Sequence, residues 1–382
     1  MIDVRRDIEE LVAFAGRGPG TDAERRAALH LRDRLAELGR DAEREPIHVH
    51  PRWAATHALH ALLVVVGSVL AVDVPVAGAA LLLAVAVSAF GDLTGSFLLL
   101  RRLTGRRASQ NVLSREDGGK PGTIVLVAHY DAGRGGAVLS PRAQRRRARA
   151  GRLLLRRPLG LFEPFFWSIV VVLACAIARL FEVEALWLTI VQFVPTVVLI
   201  VYVPLLADVA LSPFARGADD NASGVATVLA LADRYGGALE HFDVWVLLTG
   251  AGDGLMAGMR AFLRRHRREL DPTRTVFIEV RAVGSGTVAW ARKEGAVVAA
   301  RYHPTVLALC AEIEGGEPAV VREAGDAHLA RLRGYPAVSV RCVRDDGVLA
   351  GEEADPEALA RAEDFCGELI ERIDEQVGPE LT

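Results

Sequence analysis

Four apolar stretches, each close to the length that crosses a bilayer, constrain this chain before any other feature does. Residues 54–72 carry no charged side chain, and only His57 and His60 near the start interrupt the apolar run. Asp73-Val74-Pro75 breaks it, and 76–100 continues with a single acid, Asp92. Residues 165–181 and 185–207 form a second pair around Glu182 and Glu184. At 1.5 Å of rise per residue, about 20 apolar residues span the hydrocarbon layer. Core helices of a soluble domain are usually shorter and keep a polar face, which these blocks lack. The pattern predicts four transmembrane helices in two hairpins.

The charges are segregated to match. The chain has 382 residues, 51% of them hydrophobic and 24% charged, with a mean hydropathy of +0.25. The net charge of -3 conceals the separation: residues 101–157 hold fifteen Lys/Arg against three acids, while the hairpin tips carry Asp73, Glu182 and Glu184. Basic loops stay on the cytoplasmic side, so a multi-pass protein of the cell membrane is expected, with both tips outside and the soluble part in the cytoplasm. Arg179, near an outer end, argues the other way. The basic run "RAQRRRARAGRLLLRR" lies beside a membrane segment, which favours lipid over nucleic acid as its partner. The opening segment, "MIDVRRDIEELVAF", has no apolar centre and does not read as a secretory signal. Asp92 and Gln192 are polar groups at membrane depth, although Asp92 is close enough to Arg101 for an interfacial position. Four cysteines without C-x-x-C spacing support neither a disulfide framework nor a zinc knuckle and fit a reducing compartment.

Residues 1–52, 101–157 and 209–382 then read as one soluble domain, into which hairpins 53–100 and 158–208 are inserted. Thr21 and Glu24 form a capping box at the start of an amphipathic helix. The apolar runs "TIVLVAHY", "DVWVLLTG", "TVFIEVRAVG" and "PAVSVRCV" read as buried strands. Between them lie helical segments such as "ASGVATVLALADRY" and "DPEALARAEDFCGELIERI". The expectation is an α/β fold, a mixed and largely parallel sheet flanked by helices. Chemistry in such sheets gathers at the carboxyl ends of strands. Four segments fall there: His129-Tyr130-Asp131, "GADDNASG" (217–224), "TGAGDG" (249–254) and Arg281. An H-x-D pair suits a metal-binding imidazole oriented by a carboxylate, and an acidic pair at a helix start suits a metal or an N-cap. "GRGPGT" (16–21) lacks the Gly-Lys-Ser/Thr of a phosphate loop. The sequon Asn221-Ala222-Ser223 lies in a loop expected to face the cytoplasm.

Taken in order, "SQNV", "VAHYDA", "GADDNASGVA", "LLTGAGDGLMAG", "FIEVRAVGSG" and "GYPAVSV" resemble the M28 family of zinc aminopeptidases, and the resemblance covers the whole soluble part. It implies a zinc-exopeptidase-like fold with two zinc ions held by a His, a bridging Asp, a Glu, a second Asp and a C-terminal His. It also implies a general-base Glu just before the Glu ligand. By motif, the His ligand falls on His129, its orienting carboxylate on Asp131 and the bridging Asp on Asp219. The Glu-Glu pair falls on Gly252 and Asp253, and the second Asp on Arg281. The segment after "PAVSV" offers no His.

These departures all strike the chemistry. Gly252 removes a general base, a group typically worth about 10²–10⁴-fold. Arg281 puts a permanent cation where a dication needs a carboxylate. With the last His missing and Asp253 shorter than Glu, each metal position keeps fewer than the three ligands normal for catalytic zinc. Arg281 is expected to fill part of the vacated volume and to pair with Asp219 or Asp253. The reading is a membrane-anchored pseudo-peptidase that binds a protein or peptide partner, with no cofactor expected, and zinc if any metal is retained. One alternative is a working hydrolase with replacement ligands such as His328 or Glu279. Another is a membrane scaffold or transport accessory, but the hairpins lack the several intramembrane charges of an ion path.

Overall fold

A computed structural model of the chain describes residues 3–182, 185–348, 350–351 and 353–377. Glu184 and residues 378–382 lie outside the described residues. The chain begins with helices α1 (Val4–Val12) and α2 (Asp22–Glu37) and strand β1 (Glu43–Val49). The first apolar hairpin follows as α3 (Trp53–Asp73) and α4 (Pro75–Leu93). Strands β2 (Arg107–Ser114) and β3 (Gly122–His129) precede the basic helix α5 (Pro141–Leu155). The second hairpin is α6 (Phe162–Leu180) and α7 (Leu186–Leu211). Then come α8 (Gly224–Tyr235), β4 (Phe242–Thr249), α9 (Ala257–Arg265), β5 (Thr275–Val280), β6 (Thr287–Glu294) and β7 (Ala300–Arg301). The chain closes with α10 (Pro304–Glu312), β8 (Glu317–Val321), α11 (Asp326–Leu332), β9 (Ala337–Val343) and α12 (Pro356–Arg372).

The nine strands form one mixed sheet in the order β1-β2-β4-β3-β5-β9-β6-β7, with β8 also paired to β6. The four central strands, β4, β3, β5 and β9, are mutually parallel. Their runs are apolar on both faces because helices cover both. α8 crosses β3, β4 and β5 and packs on α12, while α11 lies against β3, β5 and β9 and packs on α9. Val125, Leu126, Val127, Val246, Leu247, Phe277 and Ile278 are all fully buried, each contributing about 1.5–3 kcal/mol of transfer free energy. Sequence reading anticipated β3, β4, β5 and β9. It did not anticipate β2, nor β1, β6, β7 and β8, which lie outside the four central strands.

Thr21 caps α2 by accepting from the Glu24 amide at 3.2 Å. The Glu24 carboxylate does more than close a capping box. It accepts from Gly20 N (2.7 Å), Ser109 Oγ (2.8 Å) and Ala251 N (2.9 Å), so one buried side chain joins the α2 start to β2 and to the turn after β4.

The four apolar helices pack on one another as a bundle with its own interior, including Val64, Leu82, Phe165, Ile169 and Leu199. All four are long and apolar enough to cross a membrane. Their outward side chains are large and apolar: Val69 is 63% exposed, Val76 73%, Trp187 59% and Phe193 65%. A soluble bundle would carry charge there. Polar groups face inward instead. Ser68 meets Thr196 at 2.8 Å, Gln192 donates to the Ser68 carbonyl at 2.7 Å, and Arg179 donates to Gln192 at 3.1 Å. Gln192 is thus a structural hydrogen-bonding residue, and Arg179 is held by its neighbours. At Gly78 a Cβ would lie 2.5 Å from the Ala71 backbone, so glycine sets the close approach of α3 and α4.

Bundle and sheet meet at the carboxyl ends of the strands. Arg101, fully buried just beyond α4, bonds Asp92 Oδ1 at 3.1 Å and the Gly254 carbonyl. Trp53 Nε1, at the start of α3, donates to Asp253 Oδ2 at 3.2 Å. Removing one member of a buried pair strands the other charge. Arg101→Met is therefore expected to destabilise the protein by about 3–5 kcal/mol, lowering its thermal midpoint in detergent, with Asp92→Asn/Arg101→Met recovering part of the loss. An unchanged midpoint in the single variant would show that apolar packing alone holds the junction.

Candidate functional site

Three segments converge beyond the ends of β3, β4 and β5. β3 ends on His129, buried with its imidazole pointing towards the loop before α8. In that loop Asp220 and Asn221 depart from helical geometry, at φ -107°, ψ 93° and φ -139°, ψ 35°. The kink sends consecutive side chains in different directions. Asp220 Oδ1 bonds His129 Nε2 at 3.1 Å. The same carboxylate accepts from Arg281 Nε at 3.3 Å and Nη2 at 3.4 Å. Asp219 turns inward, where it accepts from Gly284 N at 2.8 Å, from the Ser285 hydroxyl and from Gly351 N.

Two expectations are corrected here. The acidic residue that gathers with His129 and Arg281 is Asp220, and Asp219 is a fully buried tie between loops. Arg281 pairs with Asp220 rather than with Asp219 or Asp253. Adjacent aspartates in "GADDNASG" look alike in sequence, and only the kinked backbone separates their roles.

Asp131 lies 3.6 Å from His129 Nδ1 through Oδ1, while the ring contacts the Asp131 carbonyl at 3.3 Å. The Asp131 carboxylate is committed mainly to the turn after β4, accepting from Gly252 N at 2.7 Å and Asp253 N at 3.0 Å. That turn has closed onto the histidine. A Cβ added at Gly252 would collide with His129 Cβ and lie 2.7 Å from its Cγ and 3.1 Å from Asp131 Oδ1. The space for a side chain at this position is gone, along with the base itself. Ala251, Leu255 and Met256 all have left-handed φ, between 52° and 59°. Non-glycine residues adopt that region at a cost and persist in it where the surroundings over-determine the turn.

The charges follow from these contacts. Burial favours a neutral His129 ring, but hydrogen bonds to Asp131 and Asp220 and the charge of Asp220 outweigh it, and the ring is pushed up to about 10. Burial likewise opposes charge on Asp220, yet Arg281 and His129 hold its carboxyl well below the ordinary carboxylate range. Burial, reinforced by the charge of Asp131, lifts Asp253 to about 6.

Glu279 and His328 are placed elsewhere. The Glu279 carboxylate caps α11, accepting from Asp326 N at 3.0 Å and Ala327 N at 3.1 Å. His328 is buried on α11, and that burial lowers its ring to about 4. Among the described residues no three His, Cys, Asp or Glu side chains come together as a metal donor set. The Arg281 guanidinium already occupies the carboxylate nearest His129. The residues present do not fit the two-zinc centre that the family resemblance implies.

Sequence reading missed two residues that shape the site. Asn221 donates to the carbonyls of His129 (3.2 Å) and Val280 (3.1 Å) and accepts from Ala282 N (2.9 Å), clamping the ends of β3 and β5. Arg17 donates to the carbonyls of Tyr130 (3.0 Å), Arg216 (2.6 Å) and Gly217 (2.7 Å), fixing the acidic loop from below. Arg17 falls within "GRGPGT", a glycine-rich stretch that shows no feature of its own in sequence.

The described fold, a mixed sheet flanked by helices with the His129 cluster beyond the parallel strand ends, is zinc-exopeptidase-like. The model of peptidase family M28 matches residues 203–341. Over 99% of its length the chain superposes on 95% of an aminopeptidase from Aneurinibacillus sp. strain AM-1, with 12% identity and a TM-score of 0.52. A glutaminyl cyclase from Tannerella forsythia also gives 0.52, at 15% identity, over 98% of this chain and 97% of that one. LapB from Legionella pneumophila gives 0.51 at 9% identity, over 98% of this chain and 72% of that one. No curated protein sequence matches the chain. The family model thus covers 139 of the 382 residues, and the structural likeness, at 9–15% identity, is one of fold.

Two measurements probe the cluster. The His129 ring is expected to remain doubly protonated in nitrogen-detected NMR at pH 7.5, titrating only near 10. Because its folded value lies above the ordinary 6.5, the stability it brings is complete below about 6.5 and lost as pH rises through about 10. A neutral ring at pH 7.5 would break this account. Asp220→Asn leaves His129 and Arg281 facing one another with a neutral amide between them. The aspartate side chain is 35% exposed, so solvent relieves part of the repulsion, and a loss of about 1–3 kcal/mol is expected in denaturation.

Proposed function

We propose that this chain is a membrane-anchored M28-like protein whose α/β domain binds a peptide or protein partner without hydrolysing it. The observation that carries the reading is the Asp220 carboxylate, bonded at once to the His129 imidazolium and the Arg281 guanidinium. A fixed bidentate cation relieves the repulsion among Asp131, Asp220 and Asp253 that a metal would otherwise relieve. The closed turn at Gly252 supports the same reading, since neither a base nor room for one remains. The four apolar helices and their lipid-like exterior support a multi-pass membrane protein. The excess of Lys/Arg on the sides opposite the hairpin tips supports a cytoplasmic α/β domain.

Metal analysis and hydrolysis test this together. The purified full-length chain is expected to hold far less than one zinc per chain and to release no aminoacyl chromophore above a heat-treated control. Arg281→Asp is expected to raise zinc retention and to lower stability. Zinc near two per chain in the unaltered protein, with hydrolysis lost on chelation, would sink the proposal. An Arg281→Asp variant unchanged in both respects would remove the role given to Arg281.

A further inference from the structure

A cavity of about 1520 Å³ opens where the end of α4 meets β1 and α9. Its lining is unusual for its charge: eight arginines against a single carboxylate, Glu45. Glu45 is already used by His266 at 2.6 Å and Arg265 at 3.4 Å. Arg101 bonds Asp92 and Gly254 and the half-buried Arg260 donates to the Leu255 carbonyl, and both keep an unpartnered Nε. The remaining five, Arg102, Arg106, Arg264, Arg267 and Arg333, are exposed and have no ion-pair partner among the described residues. Holding so many guanidinium groups around one hollow is unfavourable unless an anion enters it.

The place of the hollow indicates which anion. Ser96, Phe97 and Leu98 line it directly after α4, the second apolar helix. Phe97, Leu99 and Leu103 project apolar side chains into solvent beside it, the last 82% exposed. Apolar side chains flanking a cationic hollow at the end of a membrane-length helix reproduce the layering of a phospholipid, with acyl chains beside an anionic phosphate. Planar guanidinium groups match phosphate oxygens two at a time.

We propose that this cavity binds the headgroup of an anionic phospholipid drawn from the leaflet in which α4 ends. The proposal rests on the reading that the four helices span a bilayer, and it adds a specific lipid site on the face beside β1 and α9. This site is separate from the Asp220 cluster and from the basic helix α5. Arg260 and Ala257 belong to the helix that follows the Gly252 turn, so lipid in the cavity lies against the element that closes the site.

The test uses the full-length protein purified in detergent from membranes containing phosphatidylglycerol and then placed in nanodiscs. Phosphatidylglycerol is expected to co-purify with the chain and to raise its melting temperature more than phosphatidylcholine does. Each arginine near an anionic surface contributes roughly fivefold in affinity, so Arg264→Gln/Arg267→Gln/Arg333→Gln is expected to lower phosphatidylglycerol retention at least tenfold. Arg5→Gln/Arg25→Gln/Arg361→Gln, on the exposed faces of α1, α2 and α12, removes the same charge elsewhere and is expected to leave retention near that of the unaltered chain. Equal loss in both triple variants, or none in the cavity variant, overturns the proposal. So does equal stabilisation by inorganic phosphate, which would make the cavity a free-phosphate site. Extraction of the unaltered chain by alkaline carbonate without detergent would instead overturn the membrane-spanning reading, so the two failures are distinguishable.

Discussion

Carboxylates held together at the ends of parallel strands need a cation, and everything around this site follows from which cation supplies it. Asp131, Asp220 and Asp253 project from three different segments towards one region. Here the counter-charge is covalent: a guanidinium on the residue after β5, with an imidazolium at the end of β3. A metal ion depends on concentration and pH, whereas Arg281 is present whenever the chain is folded. With that charge in place, the turn after β4 packs directly against His129. The closed turn in turn offers its backbone carbonyl at Gly254 to Arg101 and its Asp253 carboxylate to Trp53. A site built around a fixed charge thereby becomes a place where the apolar bundle can be anchored.

Much of this was legible in the sequence, for identifiable reasons. The central strands are buried on both faces, so their uninterrupted apolar runs stand out, and the four long helices stand out by length. β1 opens on a charged run, Glu43-Arg44-Glu45, and β6 ends on one, Arg292-Lys293-Glu294, patterns that compete with loops, and β7 is only two residues long. The segments carrying His129, Asp131, Gly252, Asp253 and Arg281 could all be placed at strand ends. The choice between Asp219 and Asp220 could not be made, because a kink of two residues decides which carboxylate faces the cluster. Arg17 and Asn221 were invisible for a related reason. Their work is done on backbone carbonyls and amides far away in sequence, and no side-chain pattern encodes such partners.

Glu24 shows how local and distant constraints share one residue. Its spacing from Thr21 announces a helix start, and that is where it sits. Its carboxylate, however, is spent on Gly20, Ser109 and Ala251, so the same residue that begins α2 also holds the turn beneath the site. Local patterns of this kind tell where a residue is placed and leave open what it is placed for.

The bond between Trp53 and Asp253 joins the first residue of α3 directly to the altered turn. The bundle is therefore pinned to the sheet at that point, without the freedom a flexible tether would give. A domain on a long linker could sample partners throughout the surrounding solution. Here the first turn of α3 and the turn after β4 are one mechanical piece, and Asp131, which accepts from the Asp253 amide, carries any shift of the bundle on to His129.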